Sequence, residues 1–530
     1  MSTDTITTND TTTKGTPTKG TTTNGTSEDT TTRDGNLAES RAEVVTIDQA
    51  TGRDSTRYRV AGPADAAAAV RAARSDAGSW WDAGFDGRAS RLRAWRRDIA
   101  VGAEDLAALI HVENGKSLED SRAEVLAVLA HLAFVVDNAE RVLGRREVPV
   151  PVTMANQRAS IEYLPYGVVA VIGPWNFPLA TPGAIVIHAL AAGNAVILKP
   201  SHITPGVGEW LARSWQRAVP DLPNVFQTLV GYVATGQALT AAGVDKVAFT
   251  GSVRSGQAVA ADCAPTLTPM LLELGGKDVA IVAQDADLDQ AAAHIAWGAL
   301  QNAGLGCISL ELAYVDAAVH DAFVDKVTTV ARRVRAGSDD DALMGPVPLP
   351  SQIPVINQHI EDALGRGAEA PVGGPGSSDD RYVQPTVLVG VTPDATVATE
   401  ETFGPVLAIV KVADTDEAVA RVNASPYGLG SAVFSRDHGE DIARRLRVGM
   451  TSVNDALAFS QIPALPFGGR GHSGYGRKHG EQGLLEFAYP HSITAKIGPA
   501  AAPTTTFDRP PGAVANALAA VRDRILAEDH

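Results

Sequence analysis

"GVVAVIGPWNFPLATPGAIVIHALAAGNAVILKP", from Gly167 to Pro200, decides how this sequence folds. "GVVAVIG" and "NAVILKP" are short runs of β-branched and small apolar residues. A strand covered on both faces reads as such a continuous run rather than as an alternation. Between them, Gly183 to Leu198 has the composition of a buried helix, a Gly-Asn turn and the start of the second strand. His188, Gly193 and Asn194 interrupt it, so it is not a membrane span. Strand, helix and strand make one unit of a parallel sheet. "NVFQTLVG" and "KVAFTG" repeat the pattern, which predicts an α/β, doubly wound sheet with ligands at the strands' carboxyl ends.

Working outward, a second strand–helix series begins after the turn "LELGGKD". It runs from "DVAIVA" through "LAYVDAAVHDAFVDKVTTVARRV" to "GSAVFS" and "GMTSVND". Two Rossmann-like units facing one another leave a cleft between them. Upstream, from about Ala64 to Leu143, apolar residues recur at helical steps. "REVPVPVTMANQRASIEYLPYG" reads as a β-hairpin arm, two extended runs about a polar turn. The Thr-rich start is almost free of large apolar residues and reads as a disordered tail. The expected organisation is a tail over 1–36 and a dinucleotide-binding unit from 37–146 and 167–274. An oligomerisation arm follows from 147–166 and 484–498, a catalytic unit over 275–483, and a linker with a C-terminal helix over 499–530.

The chain of 530 residues carries 45 Lys and Arg against 61 Asp and Glu, a formal net charge of -16. That balance argues against a nucleic-acid groove or an anionic membrane surface as the main partner. Two cysteines cannot make a disulfide framework and suit a reducing cytoplasm. The tail has no basic segment followed by an apolar one, so no signal peptide is expected.

One of those cysteines, Cys307, stands in "NAGLGCISL". Alone, a Cys is more often a small core residue than a nucleophile. Gly304 and Gly306, however, let a ligand approach closely, and a thiolate needs local positive potential. "GPWNFPLA" sets Asn176 in a rigid turn where its amide could serve an oxyanion. Lys199 ends a strand where a cofactor hydroxyl or phosphate would be met. "FTGSVRSG" places Gly251 and Ser252 before a helix start, a weak phosphate signal without the dinucleotide fingerprint. Glu273 precedes a glycine pair as a candidate general base. Each feature alone is equally a turn, a strand-end charge or a helix cap.

In this order and spacing, "PWNFPL", "GNAVILKPS", "DKVAFTGS", "LELGGK", "NAG-x-x-C", "ETFGPV", "YGL" and "PFGG…SGYGR" resemble the aldehyde dehydrogenase superfamily from roughly Ala42 to Ile497. "CIS-x-E" and "GRKHGEQGLLEF" resemble its bacterial branch with succinate-semialdehyde dehydrogenases. The resemblance implies an NAD- or NADP-dependent oxidation of an aldehyde to a carboxylic acid in a homodimer or homotetramer. It implies Cys307 as nucleophile, Asn176 as oxyanion donor and Glu273 as the base that activates water against the thioester. It places Trp175, Lys199, Ser201, His202, Gly251, Ser252, Leu274, Glu401 and Phe403 at the cofactor, and no metal. Leu179, Ile308, Phe459, Ile462, Leu465 and Phe467 would line the aldehyde tunnel.

Four positions depart from the family pattern. Leu305 replaces the usual Gln, His202 the usual Glu, Leu312 the usual Arg and Val279 the common Pro. His202 removes a carboxylate that repels a 2′-phosphate, so use of both cofactors is expected, with NADP gaining as pH falls towards 6. The tunnel stretches hold no Arg or Lys, which favours uncharged aldehydes over a semialdehyde unless a distant residue such as Arg122 reaches in. An acylating, coenzyme A-dependent enzyme is the alternative, against which Glu273 speaks. A non-catalytic binding relative is the third, against which the retained set speaks.

Overall fold

The computed structural model describes residues 42–339, 341–499 and 505–528. The Thr-rich tail over 1–36 and the start of the Pro/Ala linker lie outside the described residues. The runs around Gly167–Pro200 form strand Val168–Ile172, helix Ala180–Ala191 and strand Ala195–Lys199. They are joined in parallel by Phe226–Thr228 on one side and by Lys246–Thr250 and Met270–Glu273 on the other. Counting these five along the chain, the sheet order is 3-2-1-4-5, the doubly wound order with its switch point between Val168–Ile172 and Lys246–Thr250. The side chains are apolar because both faces are covered, by helices Pro63–Asp82 and Ala180–Ala191 among others.

The second sheet has seven strands, in the order Glu369–Val372, Thr386–Val389, Val406–Val412, Leu310–Asp316, Asp278–Val282, Ser431–Phe434 and Ser452–Val453. Only the first of these is antiparallel to its neighbour. The first three were not singled out by the sequence pattern above. Val406–Val412, "VLAIVKV", is a fully legible buried strand that follows the "TFGP" turn directly.

A short strand, Gly474–Tyr475, returns from the second unit to pair antiparallel with Met270–Glu273, setting Gly474 opposite Glu273. The expected arm is a three-stranded sheet. Gln157–Pro165 lies between Arg146–Val148 and Ala488–Lys496 and pairs with the latter over nine residues. The expected C-terminal helix spans Ala513–Glu528.

Candidate active site

Cys307 sits at the amino end of strand Leu310–Asp316, facing the carboxyl ends of the first sheet. The chain reaches it from helix Leu288–Leu300 through three successive left-handed residues, Asn302, Ala303 and Gly304, at φ 50°, 54° and 67°. Such backbone costs on the order of 1 kcal/mol for a non-glycine residue and persists where surroundings enforce it. Two features enforce it here. Asn302 Nδ2 donates to the Asn176 carbonyl at 3.0 Å, and Asn176 Nδ2 donates to the Leu305 carbonyl at 2.8 Å. The turn bearing the nucleophile candidate and the turn bearing the oxyanion candidate therefore hold each other. Gly304 also lies against Gly404, where a Cβ would come within 2.2 Å of the carbonyl oxygen.

A buried ion pair fixes the Asn176 turn from behind. Lys116 Nζ donates to the Asn176 carbonyl at 2.8 Å and to Glu124 at 2.5 Å, and lies 4.0 Å from the Phe177 ring centroid. The other Glu124 oxygen accepts the N–H groups of Leu179 and Ala180. Asn114 Nδ2 donates to the Trp175 carbonyl at 2.9 Å. Sequence reading missed Lys116, Glu124 and Asn114. The available signal was "NGKS", a helix-ending Gly115 and a helix-capping Ser117 that hold Lys116 in a sharp corner.

Glu273 ends its strand in a fully buried position, and its Oε1 has no hydrogen-bond partner. Burial pushes its carboxyl up to about 7, against the pull of Lys478 and Arg477. Lys478 Nζ stands 3.7 Å from Oε2, both side chains about 4% exposed. Burial likewise pushes the Cys307 thiol up to about 12, although part of the residue reaches solvent. Lys478 draws it back down, while Glu273, Asp278 and Glu401 push it further up. In the free protein at neutral pH, Cys307 is thus a thiol beside a base poised near half ionisation.

The cofactor candidates gather along the carboxyl edge of the first sheet and the facing loop. Lys199 is buried, and its hydrogen bond among the described residues goes to the neighbouring Pro200 carbonyl, so two of its three donors are free. Burial lowers it to about 8. Ser201 Oγ accepts the Ile203 N–H. Desolvation and the Lys199 ammonium lower His202 below its usual value, although the residue is exposed. That direction works against the expected gain of positive charge there towards pH 6. Gly251 follows strand Lys246–Thr250, and Ser252 caps helix Val253–Cys263 by accepting the Ser255 N–H. Leu274 packs against Gly256 and donates its N–H to Ser473.

Glu401 folds over the glycine pair of "LELGGK". Its Oε1 accepts the Gly276 N–H at 3.0 Å, and a Cβ on Gly275 would come within 2.1 Å of Oε2. Burial raises it to about 8, with Glu311 adding to the shift. Phe403, at φ 49°, meets Trp175 edge-on with ring centroids 5.7 Å apart. This loop is carried by Glu311, four residues beyond Cys307. Its carboxylate accepts the N–H groups of Thr402 at 2.8 Å and Phe403 at 2.7 Å, and it is ion-paired to the buried Lys277. Sequence reading quoted Glu311 within "CIS-x-E" and Lys277 within "LELGGK" without giving either a role.

Of the substrate candidates, Leu179, Ile308, Phe459 and Phe467 are buried, whereas Ile462 and Leu465 are over 40% exposed. Arg122 is engaged elsewhere, with Glu104 and Glu119 at the surface. Two of the family departures prove to be neighbours: Val279 and Leu312 are register partners on adjacent strands, and both are buried. Leu305 is buried too, but its bond to Asn176 uses the backbone carbonyl, which any residue supplies. Among the described residues no cluster of three or more His, Cys, Asp or Glu is arranged to hold a metal ion.

Residues 37–493 match the aldehyde dehydrogenase family. The chain is 37% identical to the 4,4′-diapolycopene aldehyde oxidase of Methylomonas sp., covering 85% of each chain. It is 35% identical to a Mycobacterium tuberculosis protein named as a succinate-semialdehyde dehydrogenase using NADP(+), over 85% of this chain and 89% of that one. The NAD+ complex of a Bacillus cereus aldehyde dehydrogenase superposes with a TM-score of 0.81 at 29% identity, over 86% and 94% of the two chains. This chain belongs to the aldehyde dehydrogenase family.

Proposed function

We propose that this protein oxidises an uncharged aldehyde to its carboxylic acid, through a covalent adduct on Cys307 that is hydrolysed with the help of Glu273. What supports this most is the joining of three distant stretches: the Asn176 turn and the Cys307 turn bond each other reciprocally, and Glu273 lies within electrostatic reach of the thiol. Cys307 would lose its thiol proton to solvent by way of the Glu273 carboxylate, and the resulting thiolate Sγ would attack the carbonyl carbon. Asn176 Nδ2 has a second hydrogen beside the one on Leu305, and with the Cys307 N–H it would receive the developing oxyanion. A bound NAD or NADP would supply the hydride acceptor for that carbon, and the acyl group would remain on Cys307 as a thioester. Glu273 would then remove a proton from water as its oxygen attacks the thioester, and the acid departs with Sγ as the leaving group.

The chain's own residues suit such a dinucleotide. Lys199 is a buried ammonium with unused donors, Ser252 opens a helix, and Glu401 lies on a glycine pair close to Cys307. The unit from 37–146 with 167–274 would hold the cofactor, and 275–483 would carry the nucleophile. The arm of 147–166 and 484–498 would join subunits, because strand Ala488–Lys496 has one edge unpaired in the sheet order.

For the substrate, the buried candidates are all apolar and the cation that might have reached them is occupied at the surface. A distal carboxylate would therefore lack a partner. The relatives' names include both a 4,4′-diapolycopene aldehyde and a semialdehyde, and this lining favours an aldehyde without a charge. The deciding experiment measures reduced cofactor over a panel of aldehydes with the wild type and Cys307→Ala. The variant is expected to keep cofactor binding and lose oxidation; undiminished turnover would reject the mechanism. A kcat/KM for succinate semialdehyde far above that for neutral aldehydes of similar length would reject the substrate class.

A further inference from the structure

The described residues bury several lysines, and most are closely paired. Lys116 meets Glu124 at 2.5 Å, Lys246 meets Glu486 at 2.7 Å, and Lys277 is ion-paired with Glu311. Lys478 is different. It is as buried as these, yet stands 3.7 Å from the nearest carboxylate oxygen, on Glu273. Its ammonium lies 4.1 Å from the Phe467 ring centroid, and its backbone is fixed by reciprocal hydrogen bonds with Phe467. A charge so held is not consumed by one close pair, and its field extends to every group around it in a low-dielectric interior.

The groups facing this region are few. Around Glu273 stand Lys478, Arg477 and Glu486; around Cys307 stand Lys478, Glu273, Asp278 and Glu401. Arg477 is half-buried and gives its guanidinium to the Gly469 and Gly476 carbonyls, while Glu486 is paired to Lys246. On the other side pack His131, His188 and His479, buried imidazoles with centroids 4.0 to 6.2 Å apart. Burial holds His131 at about 3, His188 at about 4 and His479 well below its usual value, so all three are neutral in the working pH range. Lys478 is the cation that draws the Cys307 thiol down against burial.

We propose that Lys478 is a positioning residue for the aldehyde chemistry: its buried ammonium, 3.7 Å from the Glu273 carboxylate, lowers the cost of ionising the base and, through the same field, the nucleophile Cys307. The inference rests on the roles given above to Cys307 and Glu273. Without this charge, the Glu273, Asp278 and Glu401 carboxyls and the thiol would share a buried site with less to offset burial, and the neutral forms would be favoured further.

The test titrates the thiol itself, independently of turnover. In a Cys263→Ala background Cys307 is the only cysteine, and its alkylation by iodoacetamide is followed against pH in the full-length protein. Lys478→Met is expected to move the alkylation profile to higher pH and to slow alkylation at pH 8 about tenfold for each pKa unit gained. Lys478→Arg should restore most of the rate, and Glu273→Gln should speed alkylation by removing a negative neighbour. If Lys478→Met does not fold, Lys478→Gln removes the same charge with a polar side chain of smaller hydrophobic demand. An unchanged alkylation profile in a folded charge-free variant overturns the proposal. Persistent aldehyde oxidation by Cys307→Ala would instead overturn the nucleophile assignment, and the two failures are read from different measurements.

Discussion

The carboxylate of Glu311 accepts the backbone N–H of Phe403 at 2.7 Å, which ties the strand beyond Cys307 to the loop carrying Glu401. The same carboxylate neutralises Lys277, next to the glycine pair on which Glu401 rests. Nucleophile, glycine pair and cofactor loop are therefore braced at one buried carboxylate.

Glu311→Ala is expected to loosen the Glu401 loop and to leave Lys277 buried without its counter-charge. Breaking a buried pair on one side costs about 3–5 kcal/mol. The variant should unfold at lower denaturant and show a raised KM for the cofactor. The thiol titration of Cys307 should change less than in the Lys478 variants. A wild-type denaturation midpoint would refute the bracing role.

Lys116→Met tests the support behind Asn176. Glu124 would remain buried with two backbone donors but without its cation, so stability should fall by a similar ~3–5 kcal/mol. Activity should fall as the Asn176 turn relaxes, with kcat affected more than KM because an oxyanion donor acts in the transition state. Direct removal in Asn176→Ala should cost kcat about 10²–10³-fold. Equal effects on kcat and KM in the Lys116 variant would count against a role through Asn176.

The pH dependence follows from Glu273. Its carboxyl is raised to about 7, so the base form is lost as pH falls through 7 and deacylation should slow on that limb. Glu273→Gln should keep a burst of reduced cofactor, turn over slowly and lose the limb. For stability the sign is opposite. The native carboxyl holds its proton above the ordinary value, so its burial opposes folding increasingly as pH rises from about 4.5 to 7. A wild-type steady-state rate in Glu273→Gln would remove it as the base.

The three buried imidazoles act on stability in the other direction. Their native pKa values lie below the unfolded value of 6.5, so the stability present above pH 6.5 is lost as pH falls towards 4 and then 3. Each unit of depression corresponds to about 1.4 kcal/mol at full protonation. His188→Asn should flatten this acid slope in chemical denaturation. An unaltered slope would show that His188 does not titrate with unfolding.

His202 is expected to act by what it lacks. Its pKa is lowered by desolvation and by Lys199, so the ratio of kcat/KM for NADP over NAD should rise only weakly from pH 8 to pH 6. His202→Glu should shift the ratio towards NAD, since a carboxylate repels a 2′-phosphate. A ratio that rises steeply towards pH 6 would mean that bound phosphate re-ionises the imidazole.

Legibility in the sequence follows the range of the forces involved. The parallel strands were readable because burial on both faces leaves uninterrupted runs such as "GVVAVIG" and "NAVILKP". Cys307, Asn176 and Glu273 were legible as candidates because each stands in a turn whose glycines and prolines are local. Lys116 and Lys478 were not. A single lysine between polar neighbours reads as solvated, and only tertiary packing buries it. The left-handed Asn302 and Ala303 carry no local sign, because their backbone is set by hydrogen bonds to a turn more than a hundred residues away. Ile462 and Leu465 read as lining from their apolarity but lie exposed in the structure.

The return strand Gly474–Tyr475 also closes the open edge of Met270–Glu273 from far along the chain. During synthesis Met270–Glu273 emerges early and then waits, open-edged, while roughly 200 further residues follow before its partner exists. A nascent or prematurely terminated chain would expose that edge to other chains, and it would own Cys307 while lacking Lys478. On the roles proposed above, fragments ending before Gly474 are expected to be aggregation-prone and inert rather than weakly active.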